Sequence, residues 1–180
     1  MPRLFTAIEV PSEIGRELQT YRGGVPGARW VEPADYHVTL RFHGDVDGAT
    51  ARELVEALGE TRARAPLTLT LDALAVFGGD RPRAVYARVA SIPDLLDLQA
   101  EQERVARRVG LAPETRRYTP HVTLARLRGA SAADVGAYIA AHGRFPPLTF
   151  TADRVVLLSS RASSGGGPYL AEAAYPLGDP

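Results

Sequence analysis

The tetrapeptide His-Val-Thr-Leu occurs twice in this chain, beginning at His37 and again at His121. The chain has 4 histidines, so half of them open this one motif. On an extended strand, residues two apart point to the same face and lie about 6.6 Å apart. Each copy therefore presents an imidazole and a hydroxyl together, with Thr39 beside the first histidine and Thr123 beside the second.

Two imidazoles on opposite sides of a phosphorus atom suit in-line displacement. Water must lose a proton as it attacks, and the departing alkoxide must gain one on the other side. Histidine titrates at about pH 6.5, so it can serve in either role. The hydroxyls of Thr39 and Thr123 can donate to the non-bridging oxygens and stabilise the added charge. A cyclic phosphate suits such a site, because ring strain already favours its opening. The residues alone do not say which imidazole donates.

A single His-x-Thr-x on a strand has a simpler interpretation, as a half-buried histidine beside a β-forming threonine. The wider repeat favours a functional role for the two motifs over this simpler interpretation. "PLTLTLD" at 66–72 returns as "PLTFTAD" at 147–153, at nearly the spacing of the two His-Val-Thr-Leu copies. A non-catalytic duplication would more readily keep its apolar positions than its two polar ones.

The two halves of the chain predict the same order of elements: strand, helix, motif strand, helix, strand. In the first half these are 3–10, 11–22, 36–44, 47–61 and 66–77. In the second half they are 83–90, 92–110, 121–129, 131–143 and 147–160, followed by a hairpin over 163–177 with its tip at "SSGGGP".

Period-two alternation in the strands favours antiparallel sheets with helices on one side. We therefore predict an α+β fold, formed by a single bilobal domain over residues 1–180. Its pseudo-two-fold repeat would comprise roughly 1–80 and 81–180, and the lobes could exchange strands. Two mainly antiparallel sheets would face a central cleft, with the helices outside.

The composition excludes several classes of protein. Basic and acidic residues number 21 each, so no global field draws the chain to nucleic acid, and RNA contact needs a local patch. All the basic residues are arginine, which indicates a coding bias, although arginine also binds phosphate well. The absence of cysteine excludes disulfides and thiolate chemistry. No H-E-x-x-H motif indicates a zinc hydrolase, and we expect no metal and no cofactor.

The first apolar run, "LFTAIEV", contains Glu9 and lacks the length and flanks of a signal peptide. No run approaches the roughly 20 apolar residues of a membrane span. We expect a cytoplasmic monomer with no membrane partner.

Several stretches together resemble one known family: "RLFTAIEVP", "ARWVEPADYHVTLRFHGDV", "RPRAVYARV", "RYTPHVTLAR", "VVLLSS" and "YPL". The sequence resembles the two-histidine (2H) phosphoesterases, in their LigT-like RNA 2′,3′-cyclic phosphodiesterase branch, formerly called 2′-5′ RNA ligases. The resemblance implies a bilobal α+β fold. It also implies metal-independent hydrolysis of terminal 2′,3′-cyclic phosphates to 2′-phosphates. The partners would be RNA ends or small nucleotides that carry this group.

The resemblance also assigns roles. It implies that His37 is the proton donor, that His121 is the proton acceptor, and that Thr39 and Thr123 bind the phosphate. Arg126 matches an arginine that this family often places near the phosphate. Strict alternation puts its side chain on the face opposite the motif histidines, so it needs a bulge, a strand end or its long reach to enter the cleft.

Other residues near the motifs have two interpretations each. Arg41 shares the parity of the first motif and could meet RNA, or it could be a solvated strand-end charge. Phe42 could stack on a base, but its parity favours the core. His43 stands where family members usually have an aliphatic residue, and it is a rim residue or a strand-end histidine. Tyr118 could stack on a base, and a basic patch or separate loop charges could come from Arg81, Arg83, Arg116 and Arg117.

Three other functions remain open at this point. The same two histidines could run the reverse reaction, as a 2′-5′ RNA ligase. They could act on a small nucleotide such as ADP-ribose cyclic phosphate. The protein could also be a catalytically silent RNA-binding module, although both intact copies of the motif argue against that.

Overall fold

The structure is a computed structural model that describes residues 1–160 and 167–178. Within these residues the strands are β1 Arg3–Glu9, β2 Arg29–Trp30, β3 His37–Asp45, β4 Leu67–Phe77, β5 Ala84–Val89, β6 His121–Arg126, β7 Leu148–Ala152, β8 Arg154–Ser160 and β9 Tyr169–Pro176. The helices are α1 Ser12–Gln19, α2 Gly48–Gly59, α3 Pro93–Arg108 and α4 Ala132–Ala141, with a 3₁₀ helix at Pro33–Asp35.

Short polar side chains fix where two of the helices begin. The carboxylate of Asp47 accepts from the backbone N–H of Thr50 at 2.9 Å, just before α2. The hydroxyl of Ser131 accepts from the N–H of Asp134 at 3.0 Å, just before α4. Such caps satisfy backbone donors that have no partner inside the helix. Both helices therefore begin close to the positions that the sequence predicts.

The strands form one antiparallel sheet in the order β7-β4-β5-β6-β3-β1-β8-β9, and β2 pairs with β6. The α+β class with antiparallel strands is confirmed. The arrangement differs in one respect from the two separate sheets that the sequence analysis predicts. The motif strands β3 and β6 are themselves paired, through Val38 and Val122, so that a single sheet carries both copies.

Strands cross between the two halves of the chain. β4 ends the first half but pairs with β5 of the second, and β8 of the second half pairs with β1 of the first. The exchange of strands between two lobes stays a prediction, because it depends on where one lobe ends. The division into residues 1–80 and 81–180 stays a prediction.

The predicted strand over 147–160 is two strands, and this part of the prediction is wrong. β7 pairs with β4, whereas β8 pairs with β1 and β9. Between them the carbonyl of Asp153 accepts from the N–H of Leu177 at 2.7 Å, which separates the two ladders. The final hairpin is confirmed for its strands, β8 and β9. Most of its predicted tip, at 163–166, lies outside the described residues.

The alternate residues of the motif strands anchor them in the core. Val38 and Val122 are 0% exposed, and Leu40 and Leu124 are 2% and 1% exposed. They pack with apolar residues of helices α1 and α3 in the largest cluster of buried side chains. Burying each such side chain stabilises the fold by about 1.5–3 kcal/mol. The opposite face of the two strands is left for His37, Thr39, His121 and Thr123.

Among the helices of the described residues, none combines the length and the apolar character needed to cross a lipid bilayer.

Candidate active site

The two motif copies lie side by side on neighbouring strands. Their second residues, Val38 and Val122, are direct cross-strand partners in an antiparallel ladder. The first residue of each copy therefore lies opposite the third residue of the other. His37 and His121 become diagonal neighbours on one face, a relationship that places such residues about 7–8 Å apart.

Each imidazole is held by the backbone two residues before it. The Nδ1 of His37 lies 2.7 Å from the carbonyl oxygen of Asp35, and the Nδ1 of His121 lies 2.6 Å from that of Thr119. A carbonyl can only accept, so the hydrogen is on Nδ1 in both rings. The Nε2 atom is then an acceptor in the neutral ring and a donor in the imidazolium, as general acid–base work requires.

Both imidazoles also pack between aromatic rings. Around His37 the ring centroids of Phe5 and Tyr169 lie at 5.0 and 5.2 Å. Around His121 the corresponding distances are 4.9 and 5.4 Å, to Phe77 and Tyr86. These rings restrict the imidazoles to one orientation, so little freedom is lost when a substrate binds.

Burial lowers the pKa of both histidines. For His37 desolvation is the main cause, and the positive charges of His121 and Arg126 lower its pKa further. The bond to the Asp35 carbonyl and the Asp35 carboxylate act in the opposite direction. For His121 desolvation again dominates and the bond to Thr119 opposes it. Because both pKa values lie below 6.5, both rings are predominantly neutral at pH 7 without a bound anion.

A β-bulge in β6 turns Arg126 toward the motif histidines. The ladder between β5 and β6 skips Leu124, so Leu124 and Ala125 both face the core and are 1% and 0% exposed. Alternation is thereby shifted by one residue, and Arg126 joins His121 and Thr123 in lining the cavity above the sheet. Strict alternation from the sequence gives the wrong face, and the bulge is the reason.

Arg126 also connects the second motif to the first. Its side chain hydrogen-bonds Tyr169 of β9, and the ring of Tyr169 packs edge-on against His37. Its charge is among the causes that lower the pKa of His37. An arginine from one motif strand therefore stands beside the imidazole of the other, where it can bind a phosphate oxygen.

The first motif has a bulge at the same position. The ladder between β1 and β3 skips Leu40, which turns Arg41 toward helix α3 and Phe42 toward the cleft. Arg41 is 6% exposed and Phe42 is 42% exposed. The core position that parity favours for Phe42 is therefore wrong. Arg41 is not a solvated strand-end charge but a buried ion-pair partner, although it is among the residues that line the cavity above the sheet. Phe42 occupies the position in β3 that Arg126 occupies in β6.

Arg41 joins three parts of the fold. Its guanidinium forms an ion pair with Glu103 of α3 and donates to the carbonyls of Phe42 and Ala112. Glu103 in turn accepts from the backbone N–H of Glu114 at 3.0 Å. This network fixes the segment that leads into the second motif. It also explains why the charge of Arg41 can be buried, which alternation along the strand does not predict.

His43 is not a residue of the cavity rim: it lies near the end of β3 beside Gly44, as the strand-end interpretation predicts. The β1–β3 ladder skips His43 as well, and the residue is buried, at 8% exposure. Neither ring nitrogen has a hydrogen-bond partner among the described residues. Burial lowers its pKa to about 4, with Arg41 acting in the same direction and Glu103 against it. His43 is a buried neutral ring outside the cavity.

Above the motif face lies a cavity of about 540 Å³. Four residues of the predicted site line it, Thr39, His121, Thr123 and Arg126, and His37 is not among its lining residues. Its wall also contains Phe42, Phe77, Arg83, Arg116, Arg117 and Tyr118. The sequence does not predict Phe77 as a site residue, because its pattern is that of the apolar end of a strand. Among residues 1–160 and 167–178, no three potential ligands from His, Asp and Glu come together to hold a metal ion.

Tyr118 links the two half-sites rather than standing free. Its hydroxyl donates to the carbonyl oxygen of Thr39 at 2.9 Å, across the gap where β3 and β6 diverge. The next residue, Thr119, supplies the carbonyl that holds His121. Burial raises the pKa of Tyr118, so the hydroxyl stays protonated as a donor. The segment before the second motif thus positions residues of both copies.

The sheet with its paired His-x-Thr-x strands has the form of the two-histidine phosphoesterase class that the sequence resembles. The chain belongs to the 2′-5′ RNA ligase superfamily, because the model of that family matches residues 10–163.

Several relatives are named RNA 2′,3′-cyclic phosphodiesterase. The protein from Aeropyrum pernix is 38% identical over 59% of this chain and 61% of its own length. That from Geobacillus stearothermophilus is 31% identical over 68% of this chain and 41% of its own length. The protein from Aquifex aeolicus is 28% identical over 94% and 90% of the two chains. The matches thus span less than two thirds of the first two relatives and most of the third.

Solved structures agree over nearly the whole chain. E. coli LigT complexed with 3′-AMP superposes with a TM-score of 0.79 at 26% identity, covering 99% of this chain and 100% of that one. The apo form of LigT gives a TM-score of 0.78 at 26% identity, with 99% of each chain covered.

Proposed function

We propose that this protein hydrolyses RNA-terminal 2′,3′-cyclic phosphates to 2′-phosphates by two-histidine general acid–base catalysis, without a metal. The observation that carries the proposal is the pairing of Val38 with Val122, which makes two carbonyl-anchored imidazoles diagonal neighbours on one face. The names of the relatives supply the substrate class.

His121 is the proton acceptor and His37 the proton donor. Neutral His121 takes a proton at Nε2 from the attacking water as the new P–O bond forms. Protonated His37 gives its Nε2 proton to the 3′ oxygen as the P–O3′ bond breaks. The bonds from Nδ1–H to the carbonyls of Asp35 and Thr119 hold both rings in this orientation. Bound phosphate raises the pKa of a nearby imidazole, which favours the protonated form of His37.

Thr39, Thr123 and Arg126 bind the non-bridging oxygens. Hydroxyl and guanidinium donors that are already in place stabilise the charge added in the transition state. Arg126 is suited to this because its bond to Tyr169 holds the guanidinium beside His37. Its preorganisation limits the entropy that binding would cost.

The nucleoside lies in the cavity beside the aromatic side chains. Phe42 is 42% exposed and lines the cavity together with Phe77. An exposed aromatic ring in such a place offers a stacking surface to any base. Arg83 and Arg117, also on the cavity wall, supply the local positive charge that a chain of net charge 0 needs to attract RNA. A monomeric state and a cytoplasmic location remain predictions.

A small-nucleotide phosphodiesterase is the second candidate. LigT, similar over the whole chain, was crystallised with 3′-AMP, a single nucleotide. The cavity of about 540 Å³ has the size of a small-ligand site. An RNA ligase would use the same two histidines in the reverse direction, and a silent binding module would use neither.

The test is an RNA that ends in a 2′,3′-cyclic phosphate, incubated with the protein in excess chelator. We expect a 2′-phosphate end. A 3′-phosphate product would contradict the assigned leaving group, and loss of turnover in chelator would contradict the metal-free mechanism. Joined RNA ends would identify a ligase, and binding without turnover would identify a binding module.

A further inference from the structure

A second cavity of about 470 Å³ adjoins the first. Arg117, Tyr118 and Thr119 line both cavities, so this segment forms a ridge between them. Beyond the ridge the second cavity is bounded by Arg88 of β5 and Asp72 of β4. Its position is therefore on the β5 side of the cleft, away from β3.

The register of the sheet puts this second cavity directly beside a catalytic histidine. Arg88 is the cross-strand partner of His121. Tyr86, two residues before Arg88 on the same strand, packs against the His121 ring. Residues two apart share a face, so Arg88 projects from the same face of the sheet as His121. The two cavities therefore lie side by side along this face, as a trough divided by the ridge.

The charges along the trough suit a phosphodiester. Arg117 is exposed and makes no hydrogen bond or ion pair within the described parts of the chain. Its neighbour Arg116 is bound to Glu114 at 3.1 Å and is less available. Arg88 is held by Asp72 at 2.8 Å, which fixes its guanidinium at the cavity wall. The second cavity thus has two arginines against one carboxylate.

A longer substrate needs this space. Once the terminal phosphorus lies between the imidazoles, the chain on the 5′ side must leave the first cavity and carry its next phosphate with it. Single-stranded nucleic acid is bound by a groove in which positive charge follows the backbone. The ridge at Arg117 provides the charge at the exit, and the second cavity provides room for one more nucleotide.

We propose that the second cavity is a subsite for the nucleotide 5′ to the cyclic phosphate, and that Arg117 binds the phosphodiester that links the two. This inference rests on the proposed function and makes the preferred substrate an oligonucleotide rather than a mononucleotide. Arg117 is then a residue that determines substrate length.

The test compares three substrates: adenosine 2′,3′-cyclic phosphate, a dinucleotide with the same cyclic end, and that dinucleotide with a neutral methylphosphonate linkage. kcat/KM is measured for the wild type, for Arg117→Gln and for the control Arg16→Gln, an exposed arginine outside both cavities. We expect the wild type to prefer the natural dinucleotide. Arg117→Gln should reduce the ratio of dinucleotide to mononucleotide kcat/KM about three- to fivefold, the size of an exposed ion pair.

The neutral linkage should reduce the wild-type preference by the same factor and should have no further effect in Arg117→Gln. Arg16→Gln should leave the ratio unchanged. A wild type that cleaves the mononucleotide but gains nothing from the second nucleotide overturns the subsite alone. An unchanged ratio in Arg117→Gln overturns the role of that residue. A wild type that cleaves none of the three overturns the proposed function, and this inference with it.

Discussion

Val38 and Val122, the second residues of the two His-Val-Thr-Leu copies, are direct partners across neighbouring antiparallel strands. Both side chains are fully buried, at 0% exposure. One backbone pairing therefore sets the position of His37 relative to His121, and the core beneath it keeps that position. Under the proposed function the site is duplicated because one phosphate needs an acid and a base on two sides.

Removal of either imidazole should abolish turnover without unfolding the protein. His37→Ala and His121→Ala should each lower kcat by at least about 10²-fold, since general acid–base catalysis contributes roughly 10²–10⁴-fold. Turnover of the cyclic-phosphate RNA and thermal unfolding are the measurements. His142→Gln is the control, because His142 ends α4 and packs against Tyr138. Normal kcat in either alanine variant would contradict the mechanism.

The pH dependence of kcat/KM should be bell-shaped and displaced to acid. The proposed mechanism requires neutral His121, so kcat/KM should rise as pH increases through the pKa of His121. It also requires protonated His37, so kcat/KM should fall as pH increases through the pKa of His37. Both pKa values are lowered from 6.5, so the maximum in the free enzyme should lie below this pH.

The Arg126→Gln variant tests whether the alkaline limb of the pH profile belongs to His37. The Arg126 charge lowers the pKa of His37, so its removal should shift that limb to higher pH. If instead the acid limb alone moves to higher pH, His37 is the proton acceptor and the roles of the two histidines are reversed.

Arg126 should also contribute directly to the rate. Removing a preorganised donor to a developing oxyanion costs roughly 10²–10³-fold in kcat, and we expect Arg126→Gln to lose about 10²-fold. Tyr169→Phe, which leaves Arg126 in place but removes its hydrogen-bond partner, should lose less. Arg128→Gln is the matched control, an exposed arginine two residues on that does not line the cavity. Equal losses for Arg126 and Arg128 would indicate a general charge effect.

His43 should make the protein less stable in acid. Its pKa is about 4 in the folded state against 6.5 when exposed, so the unfolded state binds more protons between these values. The neutral ring of His43 costs no stability above pH 6.5. As pH falls from 6.5 to 4, the free energy of unfolding should decrease by about 3 kcal/mol because of this one residue. Denaturant unfolding of the wild type and of His43→Leu at several pH values measures it. If both proteins lose stability equally, His43 is not the group responsible.

Local patterns were enough to predict most of the elements. The apolar periodicities give α1 to α4 and the long strands within a few residues, and the repeat gives their order. The motif itself predicts which side chains share a face, because alternation holds within a short regular strand. The prediction of one strand over 147–160 was wrong because the break at Asp153 depends on Leu177, which is distant in sequence.

At the two bulges, alternation along the strand no longer predicts which face a side chain occupies. In β6 the apolar positions change phase, from Val122 and Leu124 to Ala125 and Leu127, and this change is a signal for Arg126 that the sequence does contain. In β3 no such signal exists, because Phe42 continues the apolar alternation and yet faces the cleft.

The sequence by itself determined which residues the proposed chemistry uses: an imidazole and a hydroxyl on each of two motif strands, and one arginine after the second motif. Each motif strand buries the alternate side chains. Only the tertiary structure decided that these strands are neighbours, that Arg126 enters the site while Arg41 is buried, and that Tyr118 connects the half-sites. The physical reason is that strand pairing, bulges and ion pairs depend on partners far apart in the chain. Periodicity reports only which face of an element is apolar, and not which element covers it.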